Sequence, residues 1–183
     1  MAHELLLAGF GGQGVMSMGM IITYAGMIEG KRVSWIPSYG PEQRGGTANC
    51  SVVVSDRAIG SPVVTEPDTL VAMNLPSLDR FEQAVKPGGI IVVNTSLIER
   101  KVARTDVQVV EIDATALADE MGNQRIANMI VLGAVIGLTR VVGMDAVKKS
   151  LYKVFPPHRH NLIPANEMAL DKGFGLAQAA PGA

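Results

Sequence analysis

Hydrophobic and polar positions along the chain follow two periodicities, which predict strands and helices in alternation. Residues 4–10 form a continuous apolar run that ends at glycines, a pattern typical of a strand covered on both faces. Residues 14–29 carry apolar side chains around most of a helical circumference, and Gly30 ends this predicted helix. Residues 32–36 predict a second strand, which we expect Pro37 to end. These elements form a strand–helix–strand unit of the kind found in α/β domains.

The next segment predicts that the sheet is mixed. Residues 47–54 alternate between apolar and polar side chains, and a turn at 55–57 leads into residues 58–64, which we expect to return as the second strand of an antiparallel hairpin. The remaining apolar runs predict strands at 69–74, 90–94 and 107–112 and helices at 76–86, 114–121, 126–142 and 145–155. Strands and helices therefore alternate along most of the chain.

The order of these elements predicts a single domain over residues 1–183. We expect a three-layer α/β/α, Rossmann-like fold with a mostly parallel, mixed sheet that includes one antiparallel hairpin. Pro156 and Pro157 end the last predicted helix. The predicted core therefore spans residues 4–155, and residues 156–183 form a C-terminal tail with one short helical pattern at 164–172.

The composition narrows the function classes that this fold can serve. Hydrophobic residues make up 48% of the chain, charged residues 18%, and the net charge is -1. The chain can therefore bury a large core, and it lacks the basic surface of a nucleic-acid-binding protein. So few charges leave little polar surface to cover an isolated domain, which suggests contact with partner subunits. The most apolar stretch, residues 129–138, is about half as long as a membrane span, so we expect no membrane insertion.

The single cysteine, Cys50, bears on both compartment and cofactors. One thiol forms no intramolecular disulfide and holds no iron–sulfur cluster by itself, since such clusters take about four thiolates. Its position among valines on a predicted strand favours a buried small hydrophobe over a nucleophile. The N-terminal residues lack the basic segment of a signal peptide, so we expect a cytoplasmic protein.

A glycine-rich turn follows the first predicted strand and opens the first predicted helix. Its sequence, Gly9-Phe10-Gly11-Gly12-Gln13-Gly14, has the glycine spacing of a dinucleotide-binding turn. Such glycines let a phosphate approach the free N–H groups at the positive end of a helix. The acidic residue that would bind a ribose is absent from the end of the second strand, which disfavours NAD or FAD. Two interpretations remain: an anion contact, or a close-packed crossover without a ligand.

A second candidate segment follows the second predicted strand. It reads Ser38-Tyr39-Gly40-Pro41-Glu42-Gln43-Arg44-Gly45-Gly46 and combines hydroxyl, phenol, carboxylate, amide and guanidinium groups. Loops at the carboxyl ends of parallel strands commonly bind ligands, so we expect this loop to lie beside the glycine turn. Arg44 suits bidentate binding of a carboxylate or phosphate, whereas a surface ion pair with Glu42 is the simpler alternative.

Three motifs together resemble one known family. The glycine turn, the 38–46 loop and the segment Asn128-Met129-Ile130-Val131-Leu132-Gly133 are similar to the gamma subunits of the 2-oxoacid:ferredoxin oxidoreductases. The resemblance extends over nearly the whole chain, and it implies a three-layer α/β fold. Enzymes of this family oxidatively decarboxylate a 2-oxoacid, form its coenzyme A thioester and pass electrons to ferredoxin.

The resemblance also implies partners and cofactors. In the family, thiamine diphosphate with Mg belongs mainly to alpha and beta subunits, and the iron–sulfur clusters belong to a beta or a ferredoxin-like delta subunit. We therefore expect this chain to hold none of them and to be inactive alone. A compact gamma chain favours 2-oxoglutarate as substrate, with a branched-chain 2-oxoacid next and pyruvate or indolepyruvate as alternatives. We also expect the isolated chain to self-associate as a homodimer through the apolar helices around Gly19 or Gly133.

The candidate cofactor-binding residues come from the glycine turn, the following loop and one helix: Gly9, Gly11, Gly12, Gln13, Gly14, Ser38, Tyr39, Glu42, Arg44 and Asn128. We expect the turn and the loop to face partner subunits near the active cleft, where they position a substrate carboxylate or coenzyme A phosphates and exclude water. Asn128 is expected to support the loop from behind. Two other functions remain open: a free-standing dinucleotide-binding module or NAD-dependent reductase, and a purely structural assembly subunit.

Overall fold

The computed structural model describes residues 1–39 and 47–179, and in these ranges six strands form one mixed sheet. The strands are β1 (Ala2–Phe10), β2 (Arg32–Tyr39), β3 (Thr47–Ser55), β4 (Thr69–Ala72), β5 (Ile90–Asn94) and β6 (Gln108–Ile112). The α-helices are α1 (Val15–Ile28), α2 (Leu75–Phe81), α3 (Ala114–Glu120), α4 (Ala127–Thr139), α5 (Met144–Val154) and α6 (Ile163–Ala179). Across the sheet the strand order is β2-β3-β1-β4-β5-β6. The predicted α/β class with a mixed sheet is confirmed.

The antiparallel pairing differs from the predicted hairpin. Strand β3 lies between β2 and β1 and pairs antiparallel with both, while residues 58–64 form no strand. Pro62 in that segment has no N–H to donate to a ladder. Pro37 does not end β2, because β2 is an edge strand, where the sheet tolerates a proline. The β1–α1–β2 unit is therefore a parallel crossover that leaves room for β3 in the middle.

Helices cover the sheet unequally on its two faces. Side chains of β1 alternate between two cores: Leu5 and Leu7 enter the larger one, and Leu6 enters the smaller one. The larger core takes buried residues from α1, α3, α4, α5 and α6. The smaller core contains Leu78 of α2 and Ile98 of the following segment. Within the described ranges, no helix is both long and apolar enough to cross a bilayer.

The helical pattern predicted at 164–172 is part of a longer helix, α6, and this helix belongs to the core, so the prediction that the segment is a tail was wrong. Helix α6 packs closely on α4, with backbone against backbone. A Cβ atom on Gly133 would overlap the carbonyl oxygen of Leu170, and one on Gly173 would overlap that of Ile130. The periodicity of the sequence does not predict this contact, because the contact joins segments about forty residues apart.

The two glycines named for self-association, Gly133 and Gly19, both make contacts inside the molecule. Gly133 faces Leu170 of the same chain. Gly19 of α1 faces the side chains of Cys50 and Trp35, again inside the molecule. Both glycines are thus occupied by intramolecular contacts, and self-association of the isolated chain stays a prediction.

Replacing Gly173 with Ala should strongly destabilise the protein, because the new Cβ has no space beside the Ile130 carbonyl. We expect a loss of about 3 kcal/mol in the free energy of unfolding, measured by urea denaturation. Gly175→Ala is the matched control on the same helix, since a Cβ there meets no atom within 4 Å. The control should gain up to about 1 kcal/mol from helix propensity. Equal stabilities of the two variants would contradict the close contact.

A polar cluster joins the amino ends of β1 and β4. The Nε2 atom of His3 lies 2.9 Å from Thr69 Oγ1. The Lys86 ammonium lies 2.8 Å from a Glu4 oxygen and 2.9 Å from an Asp68 oxygen. Burial lowers the pKa of His3; the Asp68 carboxylate opposes this effect, and the Lys86 ammonium adds to it. The folded state therefore favours the neutral imidazole.

This pKa shift predicts how stability depends on pH. Because the pKa of His3 is lower in the folded state than its usual value of 6.5, the unfolded chain binds more protons between those two values. The contribution of His3 to stability is complete above pH 6.5 and is lost as the pH falls through the folded-state pKa. In urea unfolding at pH 7.5 and pH 5, the wild-type chain should lose more stability than His3→Gln. An equal loss in both proteins would contradict this role for His3.

Candidate functional site

The glycine turn between β1 and α1 adopts backbone conformations that favour glycine. Gly12 has a φ of 97° and Gly14 a φ of 76°, both in the positive region that other residues rarely enter. The turn is closed by two hydrogen bonds: the Gln13 N–H donates to the Phe10 carbonyl at 3.1 Å, and the Phe10 N–H donates to Gln13 Oε1 at 2.6 Å. The turn is therefore a defined structure built from its own residues.

The side chain of Gln13 ties the turn to the end of β4. Its Nε2 donates to the carbonyl oxygen of Met73 at 3.3 Å, and its Oε1 lies 3.4 Å from the Nδ2 of Asn74. Gly9 is also close-packed here, because a Cβ on it would lie 2.6 Å from Gln13 Oε1 and 3.0 Å from Met73 Cβ. Both predicted site residues thus hold the turn in place through contacts inside the protein.

Helix α1 begins at this turn without a side-chain cap. Gly14 occupies the N-cap position, makes no side-chain hydrogen bond and is followed by no acidic residue in the first turn of the helix. The first hydrogen bond of the helix runs from the Met18 N–H to the Gly14 carbonyl at 3.0 Å. The N–H groups that precede it lie at the positive end of the helix dipole. This end of the helix is chemically suited to an anion.

A cavity of about 340 Å³ opens at this end of α1, which we call the turn cavity. Its lining combines the turn, the first residues of α1 and the adjoining ends of β2 and β3: Phe10, Gly11, Gly12, Gly14, Val15, Met16, Ser17, Tyr39, Thr47 and Ala48. The sheet register explains the combination, because Ala48 pairs with Gly9 on one side and with Tyr39 on the other. The structure therefore brings the glycine turn and Tyr39 together.

Not all residues of the 38–46 segment reach this cavity. Ser38 pairs with Asn49 and lies on the opposite sheet face from Tyr39, so its side chain is directed away from the turn cavity. Glu42 and Arg44 lie outside the described residues. They belong to the connection between Tyr39 and Thr47, both of which line the turn cavity.

A second cavity, of about 260 Å³, is also lined by Gly12, and we call it the crevice. Its lining residues are Gly12, Gln13, Met73, Asn94, Leu97, Thr115, Gln124, Arg125, Ala127 and Asn128. They come from the carboxyl ends of β1, β4 and β5 and the residues that follow them, from α3, and from the start of α4 with the short helical turn before it. After β1 the chain continues to β2 and β3 on one side of β1, whereas after β4 it continues to β5 and β6 on the other side. Such a divergence is where α/β folds commonly bind ligands.

Asn128 supports the glycine turn, whereas we expected it to support the 38–46 loop. Its side chain fills the space that a Cβ on Gly14 would need, and its Nδ2 donates to the Gly14 carbonyl at 3.4 Å. The residue is only 7% exposed. Asn128 therefore fixes the start of α4 against the start of α1 and forms part of the wall of the crevice.

Two residues that line the crevice, Gln124 and Arg125, were missed by sequence reasoning. They lie in a short helical turn before α4, where the Asn123 side chain accepts a hydrogen bond from the Arg125 N–H at 3.1 Å. Arg125 is exposed and forms no salt bridge with any described residue. A cation just before a long apolar helix was the available signal, but local sequence does not show that this position faces the glycine turn.

Cys50 lies in the larger core and is fully buried. Its thiol donates a weak hydrogen bond to the Val15 carbonyl at 3.5 Å, and burial raises the pKa of the thiol to about 12. A thiol with this pKa is protonated at neutral pH and is a poor nucleophile. The interpretation of Cys50 as a buried hydrophobe agrees with the structure. Within residues 1–39 and 47–179, no three His, Cys, Asp or Glu side chains are grouped so as to hold a metal ion.

Replacing Gly14 with Ala should destabilise the protein more than replacing Gly12 with Ala. Both glycines have positive φ, so each substitution carries a backbone cost of about 1–2 kcal/mol. Only at Gly14 would the new Cβ also collide with Asn128, since a Cβ on Gly12 meets no atom within 4 Å. Urea denaturation should show an extra loss of about 1–3 kcal/mol for Gly14→Ala. Equal losses would show that Asn128 can move aside.

Comparison with known proteins identifies the family. Residues 4–176 match the family model described as pyruvate ferredoxin/flavodoxin oxidoreductase. The chain is 45% identical over 139 residues to the ketoisovalerate oxidoreductase subunit VorA of Methanothermobacter marburgensis, covering 76% of this chain and 29% of VorA. It is 33% identical over 181 residues to the 2-oxoglutarate synthase subunit KorC of Methanocaldococcus jannaschii, covering 97% of this chain and 95% of KorC. The chain thus spans under a third of VorA but nearly all of KorC.

Two solved structures share the fold along almost the whole chain. One is the keto/oxoacid ferredoxin oxidoreductase gamma subunit of Geobacter sulfurreducens, with a TM-score of 0.83 and 29% identity over 97% of this chain and 99% of that one. The other is the 2-oxoglutarate:ferredoxin oxidoreductase of Magnetococcus marinus, solved with 2-oxoglutarate, coenzyme A and succinyl-CoA bound. Here the TM-score is 0.91 and the identity 27%, over 100% of this chain and 32% of that one. On this evidence the chain belongs to the pyruvate ferredoxin/flavodoxin oxidoreductase family.

Proposed function

We propose that the chain is the gamma subunit of a multi-subunit 2-oxoacid:ferredoxin oxidoreductase. With alpha and beta subunits, and a ferredoxin-like delta subunit where one exists, it would convert a 2-oxoacid to its acyl-CoA and deliver the electrons to ferredoxin. The favoured substrate is 2-oxoglutarate, with a branched-chain 2-oxoacid next. The 33% identity to KorC over 97% of this chain supports 2-oxoglutarate, and the 45% identity to VorA over 76% of this chain supports a branched-chain 2-oxoacid.

The part of the reaction assigned to this chain is binding the anionic part of coenzyme A beside the active cleft. The observation that carries this proposal is the charge of the two cavities that meet at Gly12. Among the residues that the structure describes, no carboxylate lines either cavity; the positive end of α1 opens into the turn cavity, and Arg125 is one of the lining residues of the crevice. Both features favour phosphate oxygens. Tyr39 at the rim, with Arg44 a few residues further along the chain, would add donors from the 38–46 segment.

The remaining cofactors fit other subunits better than this one. An iron–sulfur cluster needs several thiolates, but this chain has one thiol, which is buried and has a pKa of about 12. Electrons would therefore pass through clusters held by other subunits. In the working complex this chain would bind and orient a substrate and keep water from the reacting groups.

The sheet order counts against the alternative of a dinucleotide-binding module. In a typical dinucleotide fold, the strand after the glycine turn and its helix lies next to the first strand and ends in a ribose-binding acid. Here β3 separates β2 from β1, so the end of β2 is about 10 Å from β1. The residues at that end are Ser38 and Tyr39, neither of which is acidic. Nothing in this arrangement favours a ribose.

The proposal is tested by steady-state kinetics of the complete complex, assembled from this chain and its partner subunits. Gly12→Ala places a methyl group where the two cavities meet, and we expect the KM for coenzyme A to rise about tenfold, equivalent to about 1.4 kcal/mol, with a smaller change in kcat. Gly30→Ala is the matched control, because Gly30 also has positive φ and open space but lies beyond the other end of α1.

Arg44→Ala in the same complex tests the contribution of the 38–46 segment. We expect this variant also to raise the KM for coenzyme A, because it removes a cation from the stretch of sequence between Tyr39 and Thr47, two residues that line the turn cavity. The assigned role fails if Gly12→Ala and Arg44→Ala leave the KM for both substrates at the wild-type value. It also fails if Gly30→Ala has the same effect as Gly12→Ala.

A further inference from the structure

The two edges of the sheet differ in how well they are protected. At one edge, β2 contains Pro37, and a proline on an edge strand discourages pairing with another chain. At the other edge, β6 contains no proline and is paired only with β5 among the described strands. An open strand edge presents backbone groups that can pair with another strand. Among the described strands, β6 is therefore the edge that remains open to pairing with another strand.

The register of β6 shows which of its backbone groups are available. The Gln108 N–H donates to the Gly89 carbonyl, and the Ile112 carbonyl accepts from the Thr95 N–H, so both residues direct their backbone toward β5. In a parallel pair, alternate residues direct both backbone polar groups to the same side. Val109 and Glu111 therefore direct their N–H and C=O groups outward. Two donors and two acceptors lie along the free edge.

An apolar groove runs beside this edge. A cavity of about 490 Å³ is lined by residues 108–113 of β6 and the residue that follows it, together with residues of α3, α4 and α6. A second cavity of about 490 Å³ continues it between α3 and α6, and both cavities are lined by Leu117. Leu176 and Met168 are 36% and 64% exposed along this groove. When another strand pairs with a sheet edge, every second side chain of that strand can cover exposed apolar side chains such as these.

The charges around the groove indicate the chemistry of its occupant. The two cavities are lined by four carboxylates and one ammonium group: Glu111, Asp113, Glu120, Asp171 and Lys172. Glu111 is paired with Lys101 and Asp171 with Lys148. Glu120 forms no salt bridge with a described residue. Four carboxylates against Lys172, Lys101 and Lys148 leave the rim with a net charge of about -1. A second copy would bring a rim of the same sign, whereas a basic segment would be attracted.

We propose that β6 is the docking edge for an extended, basic segment of another subunit, which adds a seventh strand to the sheet. Its backbone pairs with Val109 and Glu111, its apolar side chains enter the groove on alternate residues, and its Lys or Arg side chains meet the acidic rim. This inference rests on the proposed function to the extent that it requires a partner subunit. It adds the surface and the kind of segment through which that partner binds.

Residue-resolved hydrogen–deuterium exchange of the isolated chain and of the assembled complex tests the docking directly. The Val109 and Glu111 amides should exchange at least about tenfold more slowly in the complex, because they gain hydrogen-bond partners. The Val110 amide is the internal control, since it already faces β5 and should change less. Unchanged exchange at Val109 and Glu111 in an active complex would overturn the docking edge while leaving the proposed function intact. Absence of 2-oxoacid oxidation by the wild-type assembly would instead count against the proposed function.

Two pairs of variants test the backbone and charge contributions separately. Val109→Pro removes one outward N–H from an edge position, whereas Val109→Thr keeps it. Only the proline variant should weaken binding to the partner subunits, by about tenfold in Kd.

Glu120→Lys reverses a charge on the rim and should weaken binding several-fold. Glu66→Lys is the control and should not weaken binding, because Glu66 is exposed and lines neither cavity.

If circular dichroism shows that Val109→Pro does not fold, Glu120→Lys and its control Glu66→Lys still test the proposal. Wild-type affinity for Glu120→Lys would then overturn the basic occupant. Sedimentation of the isolated chain tests the remaining possible occupant of the edge, which is a second copy of this chain. A dimer in which the Val109 and Glu111 amides are protected would show that a second copy, and not another subunit, occupies the edge.

Discussion

The close fit between Gly14 and the Asn128 side chain is the contact on which the candidate site depends. It holds the start of α4 against the start of α1, although the two residues are 114 positions apart. The Gln13 amide extends the same assembly to the end of β4. With three elements fixed at one turn, the turn cavity and the crevice have defined walls, and Gly12 is left as the residue common to both. A larger side chain at position 14 would separate α1 from α4.

Close backbone approach also organises the rest of the fold. Glycines at the α4–α6 contact let five helices share one face of the sheet, so α2 is left to cover part of the other face. The β6 edge and the groove between α3 and α6 follow from this uneven arrangement. The low charge content of the chain fits the proposed role as a subunit, because an edge and a groove that a partner covers need less polar surface than those of an isolated domain.

The features that the sequence predicts correctly are those that neighbouring residues determine. Strand β1, helix α1 and the glycine turn were all recognisable, because a buried strand, an apolar helix and a positive-φ turn each leave a signature within a few residues. The predicted hairpin partner at 58–64 was wrong, because alternation identifies a strand but not its neighbours. Helix α6 was taken for a tail, because its glycines weaken helix propensity and only the contact with α4 compensates. Arg125 was overlooked because its distance from the glycine turn is a tertiary property.

The sequence by itself determined the α/β class, the glycine turn and the family resemblance, because propensities, periodicity and motif spacing act between near neighbours in the chain. Tertiary structure alone decided that β3 lies between β1 and β2, that Asn128 contacts Gly14, and that Arg125 and Tyr39 line two cavities that share Gly12. Each of these depends on which distant segments pack together. That choice is made by the burial of apolar surface and by the space that glycines leave, and both quantities exist only once the chain has folded.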